Sequence, residues 1–379
     1  MNIVDFQAGR YEQRYQYQAF LPEPICHEWL IADPELTDLL GRADRALGEL
    51  NAFSQLIPDV DFFIRTYVAK EATQSSRIEG TQTNIEDAFK AADDLNPEAR
   101  DDWSEVQNYI RAVNYAIATL ESLPLSIRLL RQTHAQLMLG VRGEQKLPGE
   151  FRSSQNWIGV SLKNAVFVPP HHEHVPDLMG DLEKFLHADQ FFVHPLVRIA
   201  IAHYQFETIH PFLDGNGRLG RLMISLYLAA EGLMHKPALY LSDYFERNKT
   251  AYVDHLMAVR QGNKLREWLV FFLFGIEETA RASASVFRAI IELKQRIERD
   301  VLPRFSTRRQ DKAHELIRQL YAQPVVDVKW ATETLGTATN TAAALITDLV
   351  QAGVLLEITG QNRNRLFVFD EYLRLFRTT

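Results

Sequence analysis

Cysteine is nearly absent: Cys26 is the single one in 379 residues. That excludes an internal disulfide and a multi-cysteine zinc site and fits a reducing compartment, so the cytoplasm is the expected location. Long apolar runs are missing too. No stretch approaches the roughly 18 apolar residues of a membrane helix, and the opening MNIVDFQAGRYEQRYQYQ lacks the basic and apolar regions of a secretory signal. Neither a membrane-spanning nor a secreted chain is expected. An excess of positive charge is also missing, since 41 Lys and Arg face 49 Asp and Glu for a net of -8. This argues against a globally electrostatic binder of nucleic acid or membrane and leaves local patches open. No internal repeat or low-complexity tract is evident. What is present is ordinary globular material, 46% hydrophobic and 24% charged, enough for two or three domains.

The pattern is mainly α-helical. Residues 1–34 have scattered aromatics without a sustained period and read as an arm over a larger body. Asp33-Pro34 then caps a helix running to about Ile57, with Leu36, Leu39, Leu40, Ala43, Leu47 and Leu50 at helical spacing. Further helices are expected over about 62–79, 103–120 and 126–139, which makes the N-terminal half all-helical. GEFRSSQNWIGVSLKNAVFVPP (residues 149–170) changes the period and predicts one short β-hairpin around a Lys163-Asn164 turn. Helices resume at about 176–187, 195–209, 217–230, 249–261 and 265–299. After Pro303, residues 304–379 hold 10 Lys and Arg against 8 Asp and Glu. Their order of helix, helix, helix, strand, polar turn and strand outlines a winged helix-turn-helix. The expected division is 1–100, 101–300 and 304–379.

His210-Pro211-Phe212-Leu213-Asp214-Gly215-Asn216-Gly217-Arg218-Leu219-Gly220-Arg221 makes sense as a triphosphate site and poorly as packing. Pro211 disfavours helical geometry at His210 and so ends the preceding helix, leaving the imidazole facing a cleft. Phe212 is the apolar anchor of the loop. Gly215-Asn216-Gly217 can adopt the positive-φ conformations of an anion-binding nest at a helix start. Arg218 and Arg221, three apart, can fork onto phosphate oxygens. Asp214 supplies a hard oxygen for phosphate-bound Mg²⁺, and His210 can accept a proton from an attacking hydroxyl near neutral pH.

This run matches without departure the HxFx(D/E)GNGRxxR signature of Fic-domain protein adenylyltransferases, and residues 35–300 resemble a Fic core. The resemblance implies AMP transfer from ATP, with Mg²⁺ or Mn²⁺, to a Ser, Thr or Tyr hydroxyl of a target protein or of the chain itself. It implies His210 as general base and Asp214 as metal ligand. Asn216, Gly217 and Arg218 would grip the α- and β-phosphates, Arg221 the terminal one, with Gly215, Leu219 and Gly220 completing the ATP-binding run. The phosphotransferase branch carries Ala and Lys in place of the two glycines, so Gly215 and Gly217 favour nucleotidyl transfer. Ser75-Ser76-Arg77-Ile78-Glu79-Gly80 is similar to the family's (S/T)xxxE(G/N) inhibitory helix, so that Glu79, one turn from Ser75 and followed by Gly80, would pair with Arg221 and exclude the terminal phosphate. In some members that glutamate helps water remove AMP, which leaves de-AMPylation open. The hairpin resembles the family's target-clamping flap, with Lys163, Asn164, Phe167, Val168 and Pro169 as candidates. Residues 244–260 resemble the adenine-pocket segment, with Tyr252 stacking on the base.

His171-His172-Glu173-His174, and His203, Glu207 and His210 at helical spacing, invite a metal reading, but neither set offers an evident complete ligand shell. His203 and Glu207 are expected to orient their helix or satisfy buried polar groups. Asn340, Thr341, Arg363 and Arg365 of the winged helix could touch DNA phosphates, although Glu333, Asp348 and Glu357 dilute the charge. A DNA-binding regulator with a nucleotide-sensing core is the rival reading. Docking of the protein target or self-association into a homo-oligomer are other uses for that domain.

Overall fold

The structure is a computed structural model that describes residues 1–56, 60–141, 145–361 and 363–377. The end of the first expected helix, Ile57, lies outside the described residues.

The chain opens with a β-hairpin, β1 (Gly9–Gln13) and β2 (Gln18–Pro22), in register from Gly9 opposite Pro22 to Gln13 opposite Gln18. The expectation of an all-helical N-terminal half is therefore wrong here. Alternation is weak because only Ala19, Phe20 and Pro22 of β2 are buried. One hydrogen bond ties the hairpin to the segment after a second one: the Phe20 amide donates to the Val168 carbonyl at 3.0 Å.

Helices α1 (Pro34–Leu56), α2 (Val60–Ile78), α3 (Arg100–Leu120) and α4 (Ile127–Leu137) follow at the expected places. Asp33 caps α1 by accepting the Leu36 amide at 3.1 Å, and Ser126 caps α4. Strands β3 (Ile158–Gly159) and β4 (Ala165–Phe167) form the internal hairpin, whose tip is a 3-10 turn over Leu162–Asn164.

The centre of the molecule is built from α5 (Val175–Leu186), α6 (Pro195–Ile209) and α7 (Asn216–Ala230). Every residue of α6 after Pro195 is buried. A helix surrounded on all sides must satisfy its polar side chains internally, and Arg198 donates to the Leu186 and Ala188 carbonyls while Gln205 donates to Glu23. Then come α8 (Ser242–Arg247), which the sequence reading did not separate, α9 (Lys249–Gly262) and α10 (Leu265–Asp300). The 36 residues of α10 span roughly 54 Å. It lies against α1 and reaches the C-terminal unit.

That unit comprises α11 (Thr307–Leu320), β5 (Val325–Val326), α12 (Val328–Leu335), α13 (Thr339–Gln351), β6 (Leu356–Glu357), β7 (Phe367–Val368) and α14 (Asp370–Arg374). Its antiparallel sheet has the order β5-β7-β6. It packs on α2: Phe63 meets Tyr321 with ring centroids 5.0 Å apart, and the Tyr372 hydroxyl donates to Thr66 at 3.0 Å. Among the described residues no helix is long and apolar enough to cross a membrane.

Candidate active site

The loop between α6 and α7 is held from three sides. His210 caps α6 in the left-handed region, φ 50° and ψ 61°, an uncommon conformation for a non-glycine residue. Two donors fix it there, Arg152 Nε at 2.9 Å and Asn156 Nδ2 at 3.1 Å, both to the His210 carbonyl. Arg152 is buried without a carboxylate among its hydrogen-bond acceptors. It donates further to the carbonyls of Ser154, Pro170 and Ile209. Phe212 is fully buried and stacks on His134 at 3.9 Å. His134 Nδ1 accepts the Gly149 amide, so its proton sits on Nε2, which donates to the Asp214 carbonyl at 2.9 Å. Burial pushes His134 down to about 4, which keeps it neutral in this role.

The Gly-Asn-Gly run works differently from its sequence reading. Gly215 has φ 74° and would clash with Met138 and His134 if it carried a Cβ. Gly217 is in ordinary helical geometry; a Cβ there would stand 2.4 Å from Glu79 Oε1, so it serves close approach rather than a positive φ. The Asn216 side chain grips the loop, accepting the Phe212 amide and donating to the Phe212 carbonyl, both at 2.8 Å. The first intrahelical bond runs from the Leu219 amide to Gly215. The amides of residues 216–218 thus precede the hydrogen-bonded ladder at the positive end of α7, where an anion is favoured.

Around this helix start lies a cleft of about 720 Å³, within the size range of small-molecule sites. His210, Asp214, Gly215, Asn216, Gly217, Arg218, Arg221 and Tyr252 all line it. Leu219 and Gly220 do not: Leu219 is fully buried in the core, and Gly220 faces α6, where a Cβ would stand 2.3 Å from Glu207 Oε1. Their place in the motif is packing.

Burial, followed by the Arg260 charge, pushes His210 down to about 4, so the ring is neutral at pH 7. Its Nδ1 is buried without a partner, which turns the accessible part of the ring, the Nε2 edge, to the cleft. Asp214 keeps 36% of its side chain exposed, accepts its neighbour's Gly215 amide at 2.7 Å and meets Lys146 Nζ at 3.2 Å. Arg218 pairs with Glu105 at 3.1 Å and approaches Asp214 at 3.9 Å.

Arg221 is held by three hydrogen bonds. It donates from Nε to Ser75 Oγ at 2.9 Å, and from Nη2 to the Ser75 carbonyl and to Glu79 Oε1, both at 2.8 Å. Burial works against ionisation of Glu79, but Arg221 beside it wins and holds the carboxyl below its ordinary range. α2 ends at Ile78, and Gly80 at φ 110° turns the chain away. Lys249 Nζ donates to the Ile78 carbonyl at 2.5 Å, which caps the helix end beside the cleft.

On the hairpin, Lys163 and Asn164 are exposed at the tip. Phe167 and Pro169 are buried, and Val168 gives its carbonyl to Phe20. Strand alternation turns Phe167 inward, beneath the Arg260 guanidinium at 3.9 Å and into the wall of the cleft, and Val166 outward. The exposed apolar surface belongs to Trp157, Val160 and Val166 instead. Tyr252 has one face stacked on Phe245 at 4.4 Å, and its hydroxyl shares a hydrogen bond with His203 Nε2. His203 Nδ1 lies 2.9 Å from the Gly220 carbonyl. His171 pairs with Glu173, and His174 meets Glu12 and Arg14 of the N-terminal hairpin.

Arg152, Asn156, Lys146, Glu105, Lys249 and Arg260 were not singled out from sequence. Lys249 and Arg260 fall within the segment 244–260 and Arg152 and Asn156 within 149–170, but a spacing does not reveal which carbonyl a side chain will meet.

A helix start, a neutral histidine and two arginines converging on one cleft define a phosphate-handling site. Residues 37–118 match the family model "Fic/DOC family N-terminal" and residues 124–228 match "Fic/DOC family". Over these two spans the chain is similar to the Fic/DOC family. It is 30% identical over 182 residues to the protein adenylyltransferase Fic of Culex quinquefasciatus, covering 47% of this chain and 33% of the relative. To that of Drosophila erecta it is 31% identical over 134 residues, 35% of this chain and 26% of the relative. The chain thus spans about a third of these relatives or less. The fold is shared with a Fic family protein from Desulfovibrio desulfuricans G20 (TM-score 0.55, 21% identity, 90% of this chain and 98% of that one). It is shared also with a Fic domain signalling protein from Bacteroides thetaiotaomicron (TM-score 0.53, 17% identity, 65% and 95%).

Proposed function

We propose that this chain transfers AMP from ATP to a Ser, Thr or Tyr hydroxyl of a protein, its own chain included, and that Glu79 restrains the reaction in cis. The observation that carries the reading is the Glu79–Arg221 pair inside the cleft that holds His210 and the start of α7. Phosphates seated on the α7 amides would place their oxygens beside Arg218 and Arg221. The target hydroxyl loses its proton to His210 Nε2 while its oxygen bonds the α-phosphorus and pyrophosphate leaves. Asp214 is a partly exposed carboxylate at the start of α7 in the cleft, which fits a Mg²⁺ (or Mn²⁺) that takes the rest of its shell from phosphates and water. The ion would neutralise phosphate charge.

For the C-terminal unit we propose a winged helix, residues 304–379, that contacts protein rather than DNA, beside a core over 101–300 and an N-terminal region over 1–100. Exposed Asn340, Ala344 and Thr347 of α13 bring no positive charge, and Arg309 is drawn to Asp348 at 2.7 Å. A reducing compartment such as the cytoplasm suits Cys26, the single cysteine of the chain.

The test is label transfer from ATP carrying α- or γ-label, with wild type, Glu79→Gly and His210→Ala and a cell extract. Incorporation of α-label that rises in Glu79→Gly and vanishes in His210→Ala is expected. γ-Label alone would make the chain a phosphotransferase. No label from any variant, together with salt-dependent duplex binding that survives His210→Ala, would support the DNA-regulator reading; release of AMP from a modified target would support de-AMPylation.

A further inference from the structure

Glu207 stands one turn before His210 on α6, and its carboxyl has no evident structural use. It is buried, its Oε1 has no hydrogen-bond partner, and its Oε2 lies 3.9 Å from His210 Nδ1, which is itself buried and unpartnered. The charged and titratable groups around it are Arg221 on α7, Glu79 beyond α2, and Tyr252 and Arg260 on α9. Each already has other partners. Arg221 is taken by Ser75 and Glu79, Arg260 donates to Thr208 Oγ1 and to the Glu207 carbonyl, and the Tyr252 hydroxyl is bonded to His203. Among the described residues, the basic group within 4 Å of the Glu207 carboxylate is the His210 ring.

A second helix gives up a side chain to make this room. Gly220 of α7 faces Oε1 so closely that a Cβ would stand 2.3 Å away. Burying a carboxyl without a partner is costly, and more so when it is charged. Two helices therefore accommodate a group that weakens the resting structure, beside His210 in the wall of the cleft.

We propose that Glu207 is the positioning residue of His210, holding the imidazole with its proton on Nδ1 and its Nε2 lone pair toward the cleft, and balancing the imidazolium formed on proton transfer. This rests on the adenylyl-transfer reading. The hydroxyl proton passes to Nε2 as the oxygen–phosphorus bond forms and the bond to pyrophosphate breaks. The ring then carries a positive charge close to Arg260 and Arg152, both of which oppose it. Glu79 favours that charge, and Glu207 is the carboxylate that stands at Nδ1. At 3.9 Å the contact is longer than a hydrogen bond, and it closes by about 1 Å when the site is occupied, as catalytic contacts commonly tighten in the complex. The other acceptor near Nδ1 is the Glu207 main-chain carbonyl, to which Arg260 Nη2 already donates at 3.0 Å.

The experiment uses the full chain carrying Glu79→Gly as parent, with Glu207→Gln, Glu207→Asp and Glu207→Val added. The first readout is the ¹⁵N shifts of the His210 ring at pH 8, assigned by their loss in His210→Ala. The parent is expected to show a protonated Nδ1 and a bare Nε2, and Glu207→Val to move the proton toward Nε2. The second readout is the pH profile of α-label transfer. In the parent, kcat rises as Glu207 gives up its proton, whereas Glu207→Gln lowers kcat about tenfold to a hundredfold, below the roughly 10²–10⁴ that a general base supplies. KM for ATP stays unchanged, that limb of the profile is lost, and Glu207→Asp restores it. An unaltered tautomer in Glu207→Val overturns the proposal, as does a pH limb that persists in Glu207→Gln. A parent that transfers no label while its tautomer responds to position 207 sinks the transfer reading and leaves the positioning role standing.

Discussion

Replacing Glu79 with glycine probes the restraint with little collateral change, because α2 ends at Ile78 and position 79 is already followed by a glycine. The lost contact is one charge-assisted hydrogen bond of 2.8 Å that an almost wholly buried arginine donates to a carboxylate whose side chain is 43% exposed. A hydrogen bond to a charged group contributes about 1.5–3 kcal/mol, and exposure of one partner reduces this to about 1–2 kcal/mol. Arg221 keeps both bonds to Ser75, so the guanidinium stays in place with its counter-charge gone. Two effects of opposite sign follow. Without ligand, the variant unfolds at lower urea by about 1–2 kcal/mol. With Mg²⁺-ATP, the same energy is no longer spent displacing Glu79, and at about 1.4 kcal/mol per decade the dissociation constant falls about five- to thirtyfold. Calorimetric titration of ATP and urea unfolding of both proteins measure the two quantities. ATP affinity unchanged within twofold, with stability also unchanged, would refute the idea that this carboxylate occupies the terminal-phosphate position.

Three further outcomes are expected. Gly220→Ala should destabilise by about 1–3 kcal/mol through overpacking against Glu207 and Phe206, despite the roughly 1 kcal/mol helix-propensity gain of Ala over Gly; a neutral or stabilised urea midpoint would contradict the packing described for α6 and α7. Asn156→Ala removes donors to the His210 and Phe212 carbonyls and should cost about 1–3 kcal/mol together with a fall in label transfer, because the left-handed His210 then relies on Arg152; full activity would show that Asn156 is dispensable for holding the ring. Burial pushes Glu71 up to about 7 from about 4.3 in an unfolded chain, so its contribution is fully present below the unfolded value and is lost as pH rises through the folded one. Glu71→Gln, which retains an acceptor for Tyr109 and Ser242, should therefore gain on the wild type between pH 5 and pH 8 by up to about 3 kcal/mol, and parallel stability curves would exclude an ionisation at this site.

What could be read from sequence were the features that depend on near neighbours along the chain. The periodicity of α1 to α7, the end of α6 before Pro211 and the anion-favouring start of α7 are all local, and each appears within a few residues of its expected place. The Ser75–Glu79 spacing was legible for the same reason. The β1–β2 hairpin was not, because its strands pair with each other without a clear alternation of buried and exposed residues. α8 is six residues long, too short to display a period.

The roles inside the motif were decided by tertiary structure. Gly215, Gly217 and Gly220 look equivalent as letters, yet one supplies a positive φ, one leaves room for Glu79 and one leaves room for Glu207. Phe167 and Val166 adjoin in sequence, and which of them is buried depends on which side of the hairpin Arg260 covers. Asn216 turned out to clamp the loop, and Arg152 and Asn156, some fifty-five residues upstream, hold the His210 carbonyl. A chain specifies its helices through local torsional preference and apolar spacing. Which buried donor meets which carbonyl is settled only when those helices pack, since that pairing joins residues far apart in sequence.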